Sequence, residues 1–222
     1  MHSRVWDRWA PIAGIVFVVL FIVGLILIAD IPDADASEGE IADYLADSAA
    51  HVRNIVGMYL WTLAGISFLW FVAHLQGVLR QSESGPGTLS SLGFGAGVAL
   101  SVLLMASGVA RAAVAAAIEL EDATEPAPDF VRMLPQLGYG MLLIGGGFAT
   151  IVLIVSTSIL ALETAVLPRW LAWLGLAAVV PLALALLSAV IFFIFITMIG
   201  QLIWVLAVAV VLLRKPAASP AT

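Results

Sequence analysis

The chain has 222 residues, 63% of them hydrophobic and only 11% charged, with a mean hydropathy of +1.12. A soluble domain carries about 25% charged residues, and a soluble fold this poor in charge would expose more apolar surface than a monomer tolerates. Cysteine is absent, which excludes disulfides, thiolate metal sites and thiol nucleophiles.

The first apolar run, from about Trp9 to Ala29, is long enough to cross ~30 Å of hydrocarbon. Arg4 and Arg8 before it and Ala34-Asp35-Ala36 after it imitate a signal peptide. The run exceeds the roughly 7–15 residues of such an h-region, so it reads as a retained span. The gap behind it crowds Asp30, Asp33, Asp35, Glu38, Glu40, Asp43 and Asp47. Within that gap Ser37-Glu-Gly-Glu40 has capping-box spacing. Ile41, Tyr44, Leu45 and Ala49 follow at helical intervals, which predicts an amphipathic helix from about Glu38 to His51. Its acids cluster near its start, where the helix dipole favours them.

A second span runs from about Ile55 to Leu79 and a third from about Leu92 to Ile118. The loop between them, Gln81 to Ser90, contains Ser-Gly-Pro-Gly and reads as a flexible turn. Glu119, Glu121, Asp122, Glu125 and Asp129 make a second acidic gap, interrupted by Glu125-Pro-Ala-Pro128. A short helix restarting at Pro128 leads into a fourth span, from about Gln136 to Leu162. Trp170 to Leu213 is a charge-free stretch of 44 residues. As one helix it would be about 66 Å long, twice the membrane. It therefore folds back near 188–193 into a fifth and a sixth span, 170–188 and 193–213. The expectation is an all-α polytopic transmembrane bundle of six spans, a single membrane domain over 1–222, with a short amphipathic helix in its first extracytoplasmic loop.

Orientation follows from Lys and Arg near the span ends. Arg4, Arg8, Arg80, Arg169, Arg214 and Lys215 share one side with the acids Asp7, Glu83 and Glu163; Arg53 and Arg132 share the other with twelve acids. The basic side is cytoplasmic by this rule, which places both termini inside a plasma membrane. Trp6, Trp9, Trp170 and Trp173 fall at the same inner boundary, where indoles prefer to sit.

Arg111 is the one charge inside a span. Helical spacing puts it beside small residues, Gly93, Gly97, Ser101, Gly108, Ala112 and Ala115, which let helices approach closely. It reads either as an anchor for an anionic ligand or charge relay, or as a structural ion pair with Asp30, Asp47 or Glu119, or as a snorkelling side chain. His74, near Trp70 and Gln76, reads as an interface residue at headgroup level, with pH sensing as the sharper alternative. Asp47 and His51, four apart, could put two metal ligands on one helix face, but no further His stands outside. Asp30, Asp33 and Asp35 lack an EF-hand continuation. Gly145 to Gly147 and Pro181 could loosen the fourth and fifth spans, as transport sites do, or serve packing alone. There is no HExxH, GxSxG or P-loop pattern, and Lys215 is the only lysine. No enzymatic activity, cofactor, metal or nucleic-acid partner is expected.

Four blocks, Trp6-Asp-Arg-Trp-Ala-Pro-Ile-Ala-Gly14, Ile41-Ala-Asp-Tyr-Leu-Ala-Asp47, Gly85-Pro-Gly-Thr-Leu-Ser90 and Leu167-Pro-Arg-Trp-Leu-Ala-Trp-Leu-Gly175, resemble small six-span actinobacterial membrane proteins grouped as domain-of-unknown-function families. The resemblance implies a helical plasma-membrane protein and carries over no activity and no catalytic residue. The expected function is that of a non-enzymatic accessory or scaffold partner of another envelope component, or a homo-oligomer, acting in the lipid bilayer through helix packing and its acidic face. The alternative is a small transporter or channel built on Arg111, Gly145 to Gly147 and Pro181.

Overall fold

In hydrocarbon a backbone amide finds no water, so a chain this apolar has to satisfy its amides within each segment. The computed structural model describes residues 9–121, 126–188 and 191–214, without the side chains of 187–188 and 191–197. Among the described residues the regular elements are all helical: α1 Ile12–Leu27, α2 Glu38–Ala46, α3 Ser48–Ser82, α4 Thr88–Glu121, α5 Pro128–Tyr139, a π-helical segment Gly140–Gly145, α6 Gly146–Thr164, α7 Arg169–Ser188 and α8 Ile191–Arg214. Arg4, Trp6, Asp7, Arg8, Asp122, Glu125 and Lys215, used above for orientation and charge, lie outside the described residues. So do residues 189–190, where the turn between the last two spans was expected.

Among the described residues four helical stretches are long and apolar enough to cross a membrane: Ser48–Ser82, Thr88–Glu121, Pro128–Thr164 and Arg169–Leu186. Ile12–Leu27 and Met198–Arg214 are shorter apolar helices. At 1.5 Å per residue, α3 and α4 are about 50 Å long, roughly 20 Å more than the thickness of a hydrocarbon core. Large aliphatic side chains stand exposed along them, among them Leu63, Ile66, Val102 and Val109. Such surface is a liability in water and ordinary against lipid. Trp9, Trp170 and Trp173 are likewise exposed.

The chain groups into two compact units. The first comprises Met1–Val18, Ser67–Val98 and Phe148–Thr222. Its core holds Phe68, Phe71 and Leu75 of α3, Leu153 and Ile154 of α6, and Trp204 and Val208 of α8. α7 and α8 lie against each other, and Trp204 Nε1 donates to the Leu171 carbonyl at 3.2 Å. The isopropyl group of Val72 occupies the place a Cβ would take on Gly97, so α3 and α4 touch there only because that residue lacks a side chain. The loop from Ser82 to Thr88 is better held than its Ser-Gly-Pro-Gly suggests. Gly85 and Gly87 take φ of +109° and +80°, while Glu83 accepts from the Leu89 and Ser90 amides at 2.9 and 3.1 Å. Glu83 thereby caps α4 from six residues upstream. Hydrogen bonding to Ser90 first, then to the two amides, with Arg80 nearby, holds its carboxyl below the ordinary value of 4.5. A depressed folded-state pKa contributes stability that is full above 4.5 and is lost as pH falls through the lowered value. Thermal melts of wild type should therefore lose Tm on acidification below that point, and Glu83→Gln should flatten this part of the response.

The second unit comprises Val19–Ile66 and Ala99–Gly147. Within it α3 and α4 run antiparallel: His51 meets Glu119, Trp61 meets Gly108, and Gly65 meets Ser101. Gly93, Gly97, Ser101, Gly108, Ala112 and Ala115 are all buried, as the small-residue spacing requires. α1 crosses α3 where Gly24 and Gly57 coincide; a Cβ on either would stand 3.2 Å from the other's carbonyl oxygen. Trp61 fills the adjoining space, stacks on Phe21 with ring centroids 5.3 Å apart, and donates from Nε1 to the Phe21 carbonyl at 3.1 Å.

Candidate functional site

The polar groups of the second unit gather at its acid-bearing end, and α2 brings them together. Ser37 Oγ accepts from the Glu40 amide at 3.3 Å, and the Glu40 carboxylate accepts from the Ser37 amide at 2.8 Å, closing the predicted capping box. The bond from the Ser37 amide, then that from its hydroxyl, lowers the Glu40 pKa. Ile41 and Tyr44 are buried with Ala50, Val114 and Val131, so the helix lies on the ends of α4 and α5.

The expected helix from Glu38 to His51 is broken. α2 ends at Ala46, and Asp47 leaves helical geometry with φ −95° and ψ 84°. Its Oδ1 accepts from the Ala49 and Ala50 amides at 2.9 and 3.0 Å, so it caps α3 instead. Asp competes well for free amides at a helix start. Asp47→Ala should cost about 1 kcal/mol, read as a lowered unfolding midpoint. The break also undoes the pairing of Asp47 with His51 as metal ligands. Among the described residues no group of three or more His, Asp or Glu side chains converges on a metal position.

His51 is buried in the first turn of α3, and its Nδ1 lies 3.0 Å from Glu119 Oε1. A carboxylate can only accept, so Nδ1 carries the hydrogen. The Tyr44 ring meets His51 edge-on at 5.0 Å. Asn54, one turn on and fully buried, donates from Nδ2 to the Tyr44 hydroxyl at 2.9 Å. Burial raises the Tyr44 pKa and the Asn54 bond offsets part of that. Arg53 holds Asp30 through Nε at 3.1 Å and Nη2 at 2.8 Å, and reaches Asp47 at 3.8 Å. Arg132 Nε donates to the Ala36 carbonyl at 3.2 Å.

Asp30, Asp47 and Glu119, the acids expected to neutralise Arg111, thus pair with Arg53 and His51. Arg111 is 3% exposed and does not snorkel. Its Nη2 donates to the Ile28 carbonyl at 3.2 Å. Its guanidinium carbon lies 3.7 Å from the centroid of Tyr139 and 5.9 Å from that of Trp61. Among the described residues Nε and Nη1 have no hydrogen-bond partner. Tyr139 is the last residue before the π segment, and the neighbouring Gly138 admits the Arg111 stem: a Cβ there would lie 2.6 Å from Arg111 Cγ. The irregularity expected at Gly145 to Gly147 therefore occurs earlier, over Gly140–Gly145, and α7 continues through Pro181.

At the surface of this cluster, Asp30, Asp33, Asp35, Glu40, Asp43 and Asp47 line a groove of about 620 Å³ together with Tyr44 and Arg53. His74 is half-buried in the first unit and is engaged by its neighbours. The roles of Asn54, Tyr139 and Glu83 escaped the sequence reading. Asn54 could have been found as the amide that stands at the start of the second apolar run.

Fold and composition together define an all-helical bundle of the transmembrane class. The chain matches none of the protein-family models, curated proteins and solved structures with which it was compared.

Proposed function

We propose that this is a six-span plasma-membrane protein with both termini cytoplasmic, akin to the small actinobacterial proteins it resembles. In this reading it works without chemistry of its own, as an accessory or scaffold partner of another envelope component. The observation that carries the reading is the ordered acidic groove. Six carboxylates face it, and α2, which supplies two of them, is fixed by its capping box and the buried Tyr44–Asn54 bond. A rigid acidic surface favours a cationic segment of a partner and fixes its register. A photo-cross-linker at Asp43 in intact membranes should give one discrete adduct, lost when Asp33→Asn and Asp35→Asn are added. A protein that is monomeric in detergent and cross-links to nothing would refute the reading. Reporters fused within 122–127 should read outside and those after Gly85 inside.

A second reading, a small transporter or channel, draws support from the π segment beside Arg111. It requires ligand flux in proteoliposomes that Arg111→Ala abolishes.

A further inference from the structure

A buried guanidinium needs a countercharge, because water can replace a missing hydrogen bond but not a missing charge. Arg111 has none among the described residues: its one hydrogen bond goes to a carbonyl, and the nearby acids are held by Arg53 and His51. Glu121, the last residue of α4, is ten residues away, about 15 Å along the helix. The two rings beside Arg111 favour a cation through their faces and screen it little. Among the described residues of the second unit two other buried atoms lack partners, Asn54 Oδ1 and His51 Nε2. Asn54 Oδ1 can only accept, so it suits water and would not hold an anion.

We propose that Arg111 is the anchor of an oxyanion site that takes a phosphate group, with Nε and Nη1 donating to its oxygens and Tyr139 closing over the guanidinium. A guanidinium offers several N–H groups in one plane, which matches an anion with several acceptor oxygens. The π segment starts at the next residue, and π turns are frequent at functional sites. Lipid headgroups and soluble phosphates share this chemistry. The site is separate from the acidic groove, so failure of one leaves the other standing.

The test uses the full chain in nanodiscs and follows Tm by tryptophan fluorescence. One arm adds saturating inorganic phosphate to phosphate-free digalactosyldiacylglycerol discs against chloride at matched ionic strength. The other compares phosphatidylglycerol with digalactosyldiacylglycerol discs without added phosphate. The expected result is a rise of about 5 °C in one arm. A rise in the first identifies a soluble phosphate and a rise only in the second a lipid headgroup. Arg111→Gln should abolish the rise, while Arg169→Gln, at an exposed position, should keep it. If the glutamine variant does not fold, Arg111→Lys should weaken apparent affinity about tenfold, since it keeps the charge and loses the planar fork. No rise in either arm for wild type overturns the proposal. So does a rise that survives unchanged in whichever Arg111 variant folds.

Discussion

Trp61→Ala should be the most damaging single truncation in the second unit, at about 3 kcal/mol. The side chain is 1% exposed. Removing it opens a cavity where α1 crosses α3, deletes the stack on Phe21 and leaves the Phe21 carbonyl without its indole donor. The figure sits at the low end for a buried tryptophan because unfolding within a micelle or bilayer keeps the indole out of water. The transfer term then shrinks and the packing term remains. Trp61→Phe should recover most of the packing and none of the hydrogen bond. Reversible unfolding in mixed micelles, comparing the two variants with wild type, separates these parts. Equal losses in both would show that the bond, and not the volume, dominates.

Gly138→Ala should cost roughly 2 kcal/mol, a large effect for one methyl group. The new Cβ would lie 2.6 Å from Arg111 Cγ and 2.8 Å from the Ser107 carbonyl oxygen. The second is backbone and cannot swing away. Ser107 Oγ also donates to the Gly138 carbonyl at 2.7 Å, so any retreat of α5 strains that bond. Gly140→Ala is the matched control: nothing lies within 4 Å of its would-be Cβ. It should be neutral or stabilising by up to ~1 kcal/mol, through helix propensity alone. Unfolding midpoints that fall equally for both variants would refute the close approach of α5 to α4.

What could be read from sequence divides along physical lines. The long apolar runs were legible because length and lack of charge alone decide whether a helix can cross a membrane. The box at Ser37 was legible because it needs only local spacing. Asp47 was not: in a loop crowded with acids, which carboxylate bends back onto the free amides depends on where α3 starts. The burial of the small-residue face of α4 followed from its spacing, whereas the partners of Arg111 did not. Arg53 lies on α3 between Asp47 and Asp30 in space, and no spacing rule ranks it above Arg111 as their cation. Tyr139 was hidden for a third reason. It meets Arg111 across the contact between α4 and α5, and spacing within one helix does not say which ring of a neighbouring helix covers a given side chain.

That segment has a further consequence for Pro128–Thr164. In an α-helix each residue advances the face by about 100°, and a π turn is the footprint of one residue more than that period accommodates. Val131, Pro135 and Gly138 hold one buried stripe; Gly146, Ala149, Thr150 and Leu153 begin another. The stretch therefore behaves as two registers joined by a phase shift. Deleting a single residue from 140–145 would remove that extra residue and let the stretch relax into one uninterrupted α-helix, without the π turn that begins beside Tyr139.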